Sequence, residues 1–181
     1  MNKEIILILG GARSGKSAYA EQLAVESGGS VLYVATATAG DAEMAARIAA
    51  HKAARPATWR TLEAPLHVAQ HLQTDIPTAG LILIDCITLL ASNVLFSLPE
   101  PVSEAGFQAA LGQEISDIIR SFESSTARTL VIVSNEVGLG LVPEYELGRL
   151  YRDGLGRANQ QIAHLSQTVW LMVAGLPLRV K

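Results

Sequence analysis

The 181 residues carry a formal net charge of −3, and 17% of them are charged, a length that fits one domain over residues 1–181 and a charge that offers no electrostatic footprint for nucleic acid. A single cysteine, Cys86, excludes an internal disulfide, and with no apolar run near the roughly eighteen residues of a membrane span and no leader-like start, a cytoplasmic location is expected. Hydrophobic residues reach 49% with aromatics at only 5%, which forecasts an aliphatic core of the kind found in a parallel sheet covered by helices on both faces.

The apolar run at residues 4 to 9 reads as a strand, and it leads directly into Gly10-Gly11-Ala12-Arg13-Ser14-Gly15-Lys16-Ser17, which fits G-x-x-x-x-G-K-[ST]. In that context the motif predicts a phosphate-binding P-loop. Gly10, Gly11 and Gly15 let successive N–H groups converge on an anion at the start of a helix, where the dipole also favours negative charge. Lys16 would then reach the outer phosphates and the Ser17 hydroxyl would hold Mg²⁺. Arg13, at the loop tip, reads equally as a second phosphate contact or a solvated side chain. The helix after the loop is expected to run to about Ser27 and stop at Gly28-Gly29.

A second strand is expected at 30 to 35, and a second helix from Gly40-Asp41 to a point before Pro56. On that helix Arg47, His51 and Arg55 are spaced by four and fall on one face, and Ala45, Ala46, Ala49, Ala50, Ala53 and Ala54 leave room for a ligand or partner. Three basic groups on one stripe repel unless an anion joins them. Neighbouring cations favour the neutral imidazole, so His51 is either a nucleophile for phosphorus or an ordinary helix residue. A short strand over Trp59 to Glu63 follows. His67 and His71 are again spaced by four, but no third ligand stands near, and a solvated helix face is the expectation.

Further strands are expected at 80 to 85, 128 to 134 and 168 to 174, alternating with helices, with Ser97 to Gly106 the one linker-like stretch. The first of these ends in Asp85, the place from which P-loop enzymes hold Mg²⁺ with a carboxylate, although many buried strands end in Asp as a cap. The strand at 128 to 134 runs into Asn135-Glu136-Val137-Gly138, which places an amide and a carboxylate at the same edge. Glu136 would orient a hydroxyl or a water, or merely satisfy backbone groups. Arg149, Arg152 and Arg157 share the late helix with His164; a charged, solvated face is the favoured reading for the arginines, with phosphate contact as the alternative, and His164 is read as structural.

Together these stretches closely resemble the bifunctional adenosylcobinamide kinase / adenosylcobinamide-phosphate guanylyltransferase family. The likeness spans nearly the whole chain through residues 10–17, Val31 to Thr36, Asp41 to Lys52 with Arg55-Pro56, Trp59-Arg60-Thr61, Asp85-Cys86-Ile87-Thr88, Asn135 to Gly138 and Gly156 to Gln160. The resemblance implies a RecA-like P-loop NTPase fold of class α/β, with a mostly parallel sheet flanked by helices. It implies phosphorylation of adenosylcobinamide by GTP or ATP, then transfer of GMP through a guanylyl-histidine at His51 to adenosylcobinamide phosphate. It implies nucleotide contacts from Ala35, Thr36, Ala37, Lys52, Ala53, Ala54, Arg55, Glu63 and Asp85, and a homotrimer. The acidic residue at the Asp85 position is Glu in some relatives, so direct and water-mediated metal contact are both open.

Overall fold

The computed structural model describes residues 3–38, 45, 46, 49, 52, 53, 55–75 and 79–181. The expected helix at 40–55 therefore lies largely outside the described residues, His51 included; Ala45, Ala46, Ala49, Lys52 and Ala53 are helical.

The first strand, β1 (Glu4–Gly10), passes through the phosphate loop into α1 (Lys16–Glu26), and β2 (Val31–Ala35) follows. Then come β3 (Arg60–Glu63), α2 (Val68–Asp75), β4 (Leu81–Asp85), α3 (Ile87–Ser97), α4 (Glu104–Ser124) and β5 (Thr129–Val133). The chain continues through α5 (Glu146–Leu165), β6 (Thr168–Val173) and β7 (Leu176–Arg179). Among the described residues seven strands form one sheet in the order β3-β2-β4-β5-β1-β6-β7, parallel except for the β6–β7 pair. This is the α/β architecture that the alternating apolar runs predict.

Near-continuous burial along β2, β4 and β5 explains their unbroken Val/Ile/Leu runs, since both faces of the sheet are covered. On one face Ala20 and Ala24 of α1 pack against Ile8, Tyr33, Leu83 and Val133. On the other, Phe107, Leu111, Ile115 and Phe122 of α4 join Leu155 and Ile162 of α5 over Leu7, Ile82 and Ile132. The parallel register sets the carboxyl ends side by side: Ala35 pairs with both Glu63 and Asp85, Asp85 pairs with Val133, and Ile8 pairs with Val133. Ligands of such sheets bind at that edge.

Two expectations need correction. The last strand does not run to 174: β6 stops at Val173, a two-residue turn follows, and β7 returns antiparallel along it. Ala174 and Gly175 both have positive φ, 51° and 83°, as a primed hairpin turn demands. An alanine at the first of these positions hides the turn from sequence, and Pro177 argues against a strand until β7 is seen to be an edge. Second, His67 and His71 do not both lie on a helix, although both are exposed as expected. His67 has φ 52° and precedes α2, with its Nδ1 3.8 Å from Glu114 Oε2.

Candidate active site

The phosphate loop is shaped by close approach. A Cβ at Gly10 would sit 2.6 Å from Ser14 Oγ and 2.7 Å from the Met172 carbonyl, so the end of β1 admits no side chain. Gly15, at φ 95°, caps α1 in a left-handed conformation that favours glycine. Its Cβ would lie 3.2 Å from Gly175 Cα, and the Gly175 N–H donates to the Ser14 carbonyl at 3.0 Å. The hairpin turn between β6 and β7 thus braces the loop from outside.

Lys16 is buried, and its Nζ donates to the Gly11 carbonyl at 2.6 Å, which draws the ammonium across the loop. Burial lowers its pKa, while the electrostatics of Cys86 and Asp85 act in the opposite sense. Ser17 follows on the first turn of α1, half-buried. Arg13 is exposed at φ 58°.

Asp85, at the end of β4, accepts a hydrogen bond from the Tyr33 hydroxyl at 2.8 Å on Oδ2. Burial, and then the Asp85 charge, push the Tyr33 pKa far above the ordinary tyrosine value. The Arg55 guanidinium stacks 3.3 Å from the centroid of the Tyr33 ring and reaches Thr61 Oγ1 at 3.4 Å. Its buried Nε has no hydrogen-bond partner among the described residues. Tyr33 therefore links the acidic strand end to a cation, a role that an aromatic inside an apolar run does not announce. Lys52 and Glu63 form an exposed pair at 3.3 Å on the same side. Such a pair contributes little to stability and is easily redirected to a ligand.

Among the small residues expected to meet nucleotide, Thr36 has a second duty. It is fully buried; its hydroxyl donates to the Cys86 carbonyl at 2.7 Å and accepts from the Cys86 N–H at 2.8 Å. Its own carbonyl accepts from Asn93 Nδ2 at 2.9 Å. The residue clamps the end of β2 to the chain leaving β4. Ala35 and Ala37 beside it are half-buried, while Ala54 lies outside the described residues. Burial also pushes the Cys86 thiol up.

Beyond β5, the Asn135 N–H donates to Thr88 Oγ1 at 2.8 Å and its carbonyl accepts from Asn159 Nδ2 at 2.9 Å. Asn159 Oδ1 in turn accepts from the Ser134 hydroxyl at 2.6 Å. The Glu136 N–H donates to the Gly10 carbonyl at 3.1 Å, and its Oε1 accepts from the Gly138 N–H at 2.7 Å. The three arginines of the late helix are engaged. Arg149 donates to the Pro143 and Glu144 carbonyls, Arg152 pairs with Asp153 at 2.9 Å, and Arg157 pairs with Glu104 at 3.3 Å.

A family model described as cobinamide kinase / cobinamide phosphate guanyltransferase matches residues 6–180. The chain belongs to that family. Relatives named bifunctional adenosylcobalamin biosynthesis protein CobU are 43% identical in Salmonella typhimurium (98% of this chain, 99% of the relative) and 41% identical in Escherichia coli, with the same coverage. A relative named bifunctional adenosylcobalamin biosynthesis protein CobP, from Pseudomonas aeruginosa, is 46% identical over 97% of this chain and 96% of its own length. Cobinamide kinase and cobinamide phosphate guanylyltransferase are the family's two activities, and both draw on nucleotide substrates, GTP or ATP. No helix among the described residues is long and apolar enough to cross a membrane.

Proposed function

We propose that one domain over residues 1–181 carries both activities in the cytoplasm, phosphorylating the aminopropanol hydroxyl of adenosylcobinamide and then joining GMP to the new phosphate to give adenosyl-GDP-cobinamide. The observation that carries this reading is the grouping of the phosphate loop, Asp85 and the Tyr33–Arg55 stack at one sheet edge, in a chain of this family.

In the first reaction the backbone N–H groups of Gly10 to Gly15 and the Lys16 ammonium hold the phosphate chain, and Arg13 adds a contact from the loop tip. Ser17 and Asp85 offer a hydroxyl and a carboxylate, hard oxygen donors suited to Mg²⁺, and Tyr33 occupies one Asp85 oxygen while leaving the other for the ion or its water. Bound there, Mg²⁺ would neutralise charge on the β- and γ-phosphates.

In the second reaction the His51 imidazole attacks the α-phosphorus of GTP, a phosphoramidate forms and pyrophosphate leaves. An oxygen of adenosylcobinamide phosphate then attacks the same phosphorus, and His51 is released. Arg47, Lys52 and Arg55 offset charge on the α-phosphate, and Ala35, Thr36, Ala37, Ala53, Ala54 and Glu63 contact the guanine nucleotide. The unpartnered Arg55 Nε and the redirectable Lys52–Glu63 pair support that assignment.

The experiment is incubation with Mg²⁺ and GTP labelled at the α-phosphate, followed by denaturation. Acid-labile, alkali-stable label that stays on the chain and disappears in His51→Ala is the expected result. Cobinamide phosphorylation with no retained label would leave a simple kinase.

We also propose a homotrimer. Leu139, Leu141 and Val142 are 85%, 97% and 62% exposed beyond β5, and Leu176, Leu178 and Val180 stand exposed on and just after β7, apolar side chains that a subunit contact would cover.

A further inference from the structure

A cleft of about 720 Å³ lies between α5 and the tip of β5, lined by Leu9, Glu136, Arg152, Asp153, Arg157 and Gln160 among others. Its charges are matched. The lining carries two guanidiniums, Arg152 and Arg157, and two carboxylates, Glu136 and Asp153; Arg152 is paired with Asp153, and Arg157 forms an exposed pair with Glu104. Such a lining offers donors and acceptors in near balance and suits an uncharged arm bearing hydroxyl and amide groups better than a second nucleotide.

Glu136 stands where this cleft meets the phosphate loop. Its backbone is held by the bond to the Gly10 carbonyl, and the preceding residue is pinned to Thr88 and Asn159. Its carboxylate is aimed by the Gly138 N–H, and a Cβ at Gly138 would lie 2.9 Å from Glu136 Oε1. Glycine at 138 is therefore what allows the carboxylate to sit where it does.

We propose that this cleft receives the hydroxyl-bearing arm of the phosphoryl acceptor and that Glu136 is the general base of the kinase reaction. The inference rests on the function proposed above. In the step, the acceptor oxygen bonds to the γ-phosphorus and its proton passes to the Glu136 carboxylate. The bond from the γ-phosphorus to the β,γ-bridging oxygen breaks, and its electron pair leaves with the nucleoside diphosphate. A positioned carboxylate in this role contributes roughly 10²–10⁴-fold. Gly138 is a positioning residue for it.

The test is steady-state phosphorylation of cobinamide by Glu136→Gln and Gly138→Ala, alongside labelling of each variant by α-labelled GTP. Glu136→Gln is expected to lose about 100-fold or more in kcat, with KM for cobinamide within a few-fold of wild type and the protein-bound label retained. Gly138→Ala is expected to lose less kcat, again with KM and label retained. Wild-type kcat in Glu136→Gln overturns the inference and leaves the proposed function standing. Loss of label together with phosphorylation in Glu136→Gln also overturns it, because the residue would then be supporting the nucleotide site as a whole. A wild-type protein that phosphorylates no cobinamide overturns both readings.

Discussion

Lys16 is held in a state that a bound triphosphate would reverse. Burial lowers its pKa below 10.5, so the fold disfavours its charge; the associated cost to stability is present below the folded pKa and relieved as pH rises towards the unfolded value. Phosphate beside the ammonium raises the pKa again. In the alkaline window between the two values, nucleotide binding should take up protons. Calorimetric titration in buffers of different ionisation enthalpy should show that uptake in wild type and its loss in Lys16→Ala; identical proton balance in both would show that Lys16 does not meet the phosphates. Tyr33, in contrast, was invisible as a site residue. Its place in Val31-Leu32-Tyr33-Val34-Ala35 marks it as core, which most of its ring is, and only the strand register brings its hydroxyl to Asp85. Glu136 was legible as a carboxylate at a strand end, but its bond to Gly10 joins distant parts of the chain and no local pattern encodes it.

Among the elements, the parallel strands β1, β2, β4 and β5 were legible because burial on both faces demands unbroken apolar runs of that length. The hairpin of β6 and β7 was not, since its turn uses alanine where Asn or Gly is the usual signal. The joints between elements carry the sharper energetic consequences. Thr36→Val keeps the shape of the clamp between β2 and the chain after β4 but leaves the Cys86 N–H without its partner, while the Cys86 carbonyl keeps its bond from the Leu90 N–H at 3.2 Å. At about 1–3 kcal/mol for the unsatisfied donor, the loss should appear as a fall in Tm of roughly 5 °C in a thermal melt. The packing of α4 on α5 depends on Gly154, where a Cβ would meet Phe107 Cε1 at 2.3 Å. Gly154→Ala should cost about 1–3 kcal/mol by overpacking, and Phe107→Leu in the same chain should recover part of it. A double variant no more stable than the sum of its single changes would place the strain elsewhere.

For the whole molecule, the exposed apolar residues beyond β5 and along β7 bear directly on assembly. If they are covered by other copies of the chain, Leu141→Asp should lower the mass measured by sedimentation while the circular dichroism of the sheet and helices persists. An unchanged mass would exclude Leu141 from the interface. Gly175 braces the phosphate loop from outside through its N–H. Gly175→Pro removes the N–H that holds the Ser14 carbonyl and forbids the turn's positive φ, so nucleotide affinity should fall several-fold although no residue of the hairpin is assigned to the nucleotide.

The order in which a ribosome delivers this chain gives the hairpin a last consequence. The phosphate loop is made before the elements that enclose it: β1 has as its sheet neighbours β5 and β6, and the loop's outer brace is the turn at 174–175. A nascent chain that has reached α4 already holds every residue of the P-loop motif and none of the strands that flank it. Nucleotide cannot template early folding here; it can only arrive once the sheet has closed, and stalled or truncated chains should show no protection by GTP or ATP against proteolysis.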